Sequence, residues 1–289
     1  MVPLVLYCKS YRNDFHRLKQ LAESVSRFNE DKIPFYVSVP RSDLSLFAPI
    51  SEEYGFQLLP DEEILSRTFI TGKTREPRLA GNIMQQVVKS EFWRLEISHH
   101  YLIIDSDSWF IRKFRASDFL HPSGYPYTVI NEGRHSLLAA ARSGNMKFLR
   151  QFRELRETAR DLFNRSGRLY DFAPTPCIWS AAVWRGLFED YAQPRGENFQ
   201  DLIMRFSCET QWYGEYLLVK QPIPLHPVEP LFKCWHFEQD YNESLTLGES
   251  ESVLALNYLG IVKQSNWDHQ SDFERRKKRS WKTLWMLKR

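Results

Sequence analysis

Long apolar runs are missing from this sequence. No stretch of about 18 apolar residues occurs, which excludes a helix that crosses a membrane. Residues 1–8 are too short, and lack the charged start, for a secretion signal. Cysteine is scarce: Cys8, Cys177, Cys208 and Cys234 show no C-x-x-C spacing. That excludes a disulfide framework and a zinc ribbon, and the four read as free thiols of a reducing, cytoplasmic compartment. Gly72-Lys73-Thr74 lacks the upstream glycines and the preceding strand of a phosphate loop. Internal repeats and low-complexity linkers are absent as well.

An excess of one sign of charge is also small overall, with a net of +3, but it is unevenly placed. Residues 273–289 carry eight Lys/Arg against the single acid Glu274, which leaves about −4 on the rest of the chain. A mildly acidic body argues against a nucleic-acid partner. The 43% hydrophobic and 26% charged content of the 289 residues suits a globular chain with a sizeable core. Aromatics are abundant at 15%, which fits either core packing or a sugar-binding surface.

What is present is an alternation of strands and helices. Strands are expected at Pro3–Cys8, Ile33–Val39 and Phe56–Leu59. A helix capped by Asn13 or Asp14 follows the first, with Phe15, Leu18, Leu21, Val25 and Phe28 on one stripe. A short helix around 42–48 follows the second. This pattern predicts a parallel, Rossmann-like sheet. Residues 66–80 read as a long polar loop carrying Lys73, Arg75 and Arg78. Residues 81–98 read as a helix in which Gln85 and Lys89 share a face at i, i+4 spacing, beside Gln86. Further strands are expected at 109–114 and 126–131, and a long amphipathic helix over 145–165. Pro174 and Pro176 mark a turn, after which Ser180 caps a helix. Helices over 197–206 and 209–219 meet at Ser207.

The centre of the chain is Tyr101-Leu-Ile-Ile-Asp-Ser-Asp-Ser108. Four apolar residues read as a buried strand, and the strand stops at Asp105-Ser106-Asp107. In an open α/β sheet, ligands sit beyond the carboxyl ends of the strands. On extended backbone Asp105 and Asp107 project to the same side, and two carboxylates so close call for a cation between them. A hard divalent ion that also holds phosphate oxygens meets that need. An acidic turn with no ligand is the plainer alternative.

With Lys9-Ser-Tyr-Arg-Asn-Asp-Phe15, Gln85-Gln-Val-Val-Lys89, Thr175-Pro-Cys-Ile-Trp-Ser180 and Glu209-Thr-Gln-Trp-Tyr-Gly214, this stretch resembles the GT-A glycosyltransferases. More narrowly it resembles a poorly characterised bacterial branch of that fold. The pieces span residues 3 to 220. The resemblance implies an α/β, mostly parallel Rossmann-type sheet flanked by helices, as one catalytic domain over 1–270. It implies transfer of a sugar from a nucleoside-diphosphate sugar, most often a UDP-sugar. The acceptor would be a hydroxyl of a glycan or lipid-linked acceptor of the bacterial surface polysaccharide or lipopolysaccharide type. Mn²⁺ or Mg²⁺ would be held by Asp105 and Asp107, with His236 as third ligand. The donor would be met by Lys9, Arg12, Gln85, Gln86, Lys89 and Ser106. Glu209 would be the general base of an inverting reaction, where the plainer account makes it a charge at a helix start. On this reading Asp105→Asn stops transfer and leaves the fold intact.

Residues 271–289 are expected as a basic, aromatic helix docking on an anionic membrane surface, the protein being peripheral on the inner face of the plasma membrane. If helical, Trp281, Leu284 and Trp285 form its apolar stripe. A phosphatase of the haloacid dehalogenase type shares D-x-D after an apolar strand. That family places the motif near its N-terminus, however, and not about a hundred residues in. A non-catalytic carbohydrate-binding module is the other alternative.

Overall fold

The computed structural model describes residues 1–68 and 81–264. The basic loop residues Lys73, Arg75 and Arg78, the expected domain boundary at 270 and the expected tail helix over 271–289 lie outside them. Among the described residues no helix is long and apolar enough to cross a membrane.

The described residues form ten strands: β1 (Val2–Lys9), β2 (Phe35–Val39), β3 (Gln57–Pro60), β4 (Ser98–Ile103), β5 (Ser108–Phe110), β6 (Tyr127–Val129), β7 (Cys177–Ser180), β8 (His226–Val228), β9 (Phe232–Trp235) and β10 (Gly260–Lys263). Between them run α1 (Phe15–Phe28), α2 (Leu44–Tyr54), α3 (Asp61–Ser66), α4 (Gly81–Glu91), α5 (Arg134–Arg142), α6 (Met146–Leu162), α7 (Ala181–Leu187), α8 (Phe199–Arg205), α9 (Glu209–Lys220), α10 (Glu238–Thr246) and α11 (Glu251–Leu254).

The main sheet has the order β3-β2-β1-β4-β7. Its first four strands are parallel and β7 is antiparallel to β4, with Ile103 opposite Cys177 and His100 opposite Ser180. β1 is buried from Leu4 onward, as expected of a parallel strand covered on both faces. Side chains alternate between two cores. Val5, Tyr7, Tyr101, Ile103 and Trp179 pack with Val87 and Val88 of α4, Trp184 of α7 and Trp212 of α9. Leu4, Leu6, Leu102, Ile104 and Ile178 pack with Leu18 and Leu21 of α1 and Phe47 of α2. Trp179, Trp184, Trp212 and Trp235 are among the largest fully buried side chains, so much of the aromatic content serves the core. A second sheet, β5-β10-β9, stands beyond the end of β4.

Local reading differs from the structure in four places. The helix expected over 81–98 ends at Glu91 and passes through a 3₁₀ turn, Phe92–Leu95. β4 then starts at Ser98, earlier than its apolar run, because His100 is buried despite its polarity. The strand expected at 109–114 is only Ser108–Phe110. β7 occupies a segment read as a turn. Ser180 does cap α7, its hydroxyl accepting from the Ala182 amide at 3.3 Å.

Candidate active site

β4 carries the chain to Ile104, whose amide donates to the Tyr7 carbonyl at 2.9 Å, so Asp105 emerges beside the end of β1. The backbone then turns. The Ser108 amide donates to the Asp105 carbonyl at 3.1 Å and Ser106-Asp107 lie in the turn. The chain is therefore not extended through Asp105–Asp107, and strand alternation does not decide where the two carboxylates go.

Asp105 faces α4. Its Oδ1 accepts from Lys89 Nζ at 2.5 Å and from Gln85 Nε2 at 3.2 Å. Its Oδ2 accepts from Thr175 Oγ1 at 2.6 Å. The i, i+4 spacing of Gln85 and Lys89 is what lets both reach one oxygen. Lys89 Nζ also lies 3.6 Å from Glu209 Oε1, at the first residue of α9. α9 is buried from Glu209 to Leu217, so this end of the helix points its carboxylate inward. Burial by itself would raise the Asp105 carboxyl; Lys89 overrides it, with hydrogen bonds from Thr175 and Gln85, and holds it below its ordinary value. Glu209 is raised, mainly by burial and further by Asp105, with Lys89 opposing. Burial would lower Lys89, but Asp105 and Glu209 raise it, so the ammonium stays charged.

The other expected site residues make contacts of their own. Lys9 is buried and pairs with Asp61 at 2.8 Å while donating to the Ser10 carbonyl at 2.5 Å. Arg12 donates to Asp43 through its backbone amide at 2.9 Å and its Nε at 3.0 Å, and its side chain is largely exposed. Gln86 Nε2 donates to Ser207 Oγ at 2.9 Å, tying α4 to the residue pair that precedes α9. Ser106 is buried in the turn. The Asp107 carbonyl accepts from the Lys263 amide at 3.0 Å, anchoring the turn to β10.

His236 follows β9, with Nε2 3.1 Å from Ser136 Oγ and 3.8 Å from Cys234 Sγ. Burial lowers it to about 4, so its imidazole is neutral near neutral pH. Among the described residues no group of three His, Cys, Asp or Glu side chains is arranged to hold a metal ion. With both Asp105 oxygens taken by protein donors, the donor set does not fit a ready-made divalent site.

A cavity of about 990 Å³ adjoins the cluster, lined by Asn131, Ser136, Tyr170, Pro174, Cys234 and His236 among others. Pro174 of its lining is next to Thr175, whose hydroxyl holds Asp105, so the cavity reaches the cluster through that segment. Next to Tyr170 of the lining is Asp171, which the sequence pattern does not single out. It is buried, and its Oδ1 accepts from the Ala173 amide at 3.2 Å and from Gln211 Nε2 at 3.4 Å. Burial raises it from 3.8 to about 6, against the pull of those hydrogen bonds and of Arg156. Thr175 was missed too. No local pattern ties a threonine between two prolines to a carboxylate 70 residues away.

The Asp171 value has a pH consequence. A buried acid raised this far is ionised above pH 6 at a cost on the order of 3 kcal/mol, relieved as pH falls from 6 toward 4. Asp171→Asn has no such titration. Its melting temperature relative to wild type is therefore expected to rise by about 5 °C or more between pH 4.5 and 7.5. A difference that stays flat across that range would show that Asp171 does not carry this cost.

Solved structures share the fold, among them two glycosyltransferases. The galactosyltransferase LgtC, crystallised with donor and acceptor sugar analogues, superposes with a TM-score of 0.51 at 11% identity, over 89% of this chain and 86% of that one. Mouse xyloside xylosyltransferase 1, in its apo form, gives 0.51 at 10% identity, over 91% and 98%. At these identities the likeness is one of fold, and the fold is the GT-A type expected from the sequence. No curated protein matches the sequence. The family model that does match is described as a family of unknown function, DUF6492; it spans residues 1–281, and the chain belongs to that family.

Proposed function

We propose that this chain is a glycosyltransferase that moves a sugar from a nucleoside-diphosphate sugar to a hydroxyl of a glycan or lipid-linked acceptor. The observation that carries the reading is the Asp105–Lys89–Glu209 cluster beyond the carboxyl end of β4, joined through Thr175 to Pro174 of the 990 Å³ cavity. Fold likeness to a galactosyltransferase and a xylosyltransferase supports the same class. It does not support a phosphatase.

In this reading the cavity seats the acceptor, with Asn131, Ser136, Tyr170 and Tyr258 offering hydrogen-bonding and ring surfaces of the kind a glycan uses. Glu209 takes the proton of the acceptor hydroxyl as its oxygen bonds to the anomeric carbon. The bond from that carbon to the diphosphate breaks, and the electron pair leaves with the nucleoside diphosphate. Attack from the face opposite the leaving group inverts the anomeric centre. A carboxylate raised by burial is a stronger base near neutral pH than an exposed one, which suits this task. No step is assigned to a divalent ion, because Asp105 is already engaged by Lys89.

The test is a thermal-shift screen of nucleoside diphosphates and their sugars on the full-length protein. A ligand present at 100 times its dissociation constant is expected to add about 2.7 kcal/mol to stability. The UDP series is expected to give the largest shift. A flat response across all nucleotides would remove the transferase reading.

A further inference from the structure

We propose that Lys89 is the resident cation of the acidic cluster, a positioning residue whose ammonium holds Asp105 and Glu209 where a divalent ion would otherwise take their charge. The proposal rests on the reading of Asp105 and Glu209 as parts of one reaction site.

Three observations carry it. First, the ammonium arrives from inside the protein. The Lys89 side chain is 3% exposed and comes from α4, so it is packed in place and does not sweep over a surface. Secondly, it is shared unequally. It lies 2.5 Å from Asp105, a charge-assisted hydrogen bond, and 3.6 Å from Glu209, an electrostatic distance. Asp105 is thereby locked, with Gln85 completing Oδ1 and Thr175 on Oδ2. Glu209 is attracted without being tied down, and stays able to exchange a proton. Thirdly, a buried and a partly buried carboxylate near one another repel unless a positive charge stands between them, and Lys89 supplies that charge from within the chain.

A tethered ammonium differs from a metal ion in one respect that matters. It only donates hydrogen bonds and offers no open coordination position, so it fixes the acids without drawing a substrate oxygen into a shared shell. Asp105 then acts through Lys89 on Glu209, and the pair sets where the base stands relative to the cavity.

The test is Mn²⁺ uptake by the full-length protein without nucleotide, followed by electron paramagnetic resonance, for wild type, Lys89→Met and Lys89→Arg. Wild type and Lys89→Arg are expected to take up Mn²⁺ weakly. Lys89→Met, which leaves the two acids without their cation, is expected to bind it about tenfold more tightly. Lys89→Arg is also expected to recover most of the transfer that Lys89→Met loses, which a merely space-filling lysine would not require. Tight uptake of one Mn²⁺ by the wild-type protein, abolished in Asp105→Asn, would overturn the proposal. So would Lys89→Met binding no better than wild type. The wild-type measurement decides the matter even where Lys89→Met does not fold. No nucleotide enters these titrations, so their outcome is separate from that of the nucleotide screen, which tests the transferase reading.

Discussion

Asp105→Asn is expected to lower the melting temperature by roughly 6 °C or more, in addition to stopping transfer. The D-x-D pattern alone expects an intact fold. The structure adds a cost to that expectation, because Asp105 is the close partner of a lysine whose side chain is 3% exposed. Removing one member of a buried pair leaves the other charge uncompensated, at a cost of about 3–5 kcal/mol. Glu209 at 3.6 Å softens the loss and places it toward the lower end of that range. Lys89→Met combined with Asp105→Asn removes both charges and is expected to regain most of the lost stability while remaining inactive. Thermal melts of the two single variants and the double variant make the comparison. If Asp105→Asn melts within a degree of wild type, the ion pair described here does not stabilise the protein.

Glu209→Gln is expected to slow transfer by about 10²–10⁴-fold and to leave nucleotide affinity unchanged. The substitution keeps the shape and removes the base. Glu209 sits at the start of α9, and a carboxylate there also interacts favourably with the helix dipole, worth about 0.3–1 kcal/mol at an ordinary surface position. The two roles separate in measurement: a dipole role shows in the melting temperature and leaves the rate alone. Steady-state kinetics with the donor found in the nucleotide screen, together with nucleotide titration, separate them. A variant that turns over at near wild-type rate would return Glu209 to the helix-start role.

Much of the architecture was legible because its signals are local. The apolar runs at Pro3–Cys8 and Tyr101–Ile104 identified β1 and the body of β4, and the 3.6-residue stripes identified α1 and α6. β7 was not legible, since its four residues follow two prolines and are held as a strand only by pairing with β4. Nor was α5, which packs against α6 and follows a glycine in the left-handed conformation, Gly133 at φ +66°. A Cβ there would stand 2.5 Å from the Phe152 ring, so the chain needs glycine at this entry to the helix.

The sequence by itself determined that an aspartate ends a buried strand, that Gln85 and Lys89 share a helix face, and that Glu209 begins a helix. Each follows from a local signal within one element: a short apolar run, an i, i+4 spacing, or a helical stretch. Only the tertiary structure decided that these three facts concern one place. Lys89 and Thr175 lie 16 and 70 residues from the aspartate they hold, a relation no local period encodes. It also decided the charge balance. Whether a carboxylate at a strand end meets a metal or an ammonium depends on which helix packs over it and how deeply. Burial makes an uncompensated charge costly enough that the chain itself supplies the partner.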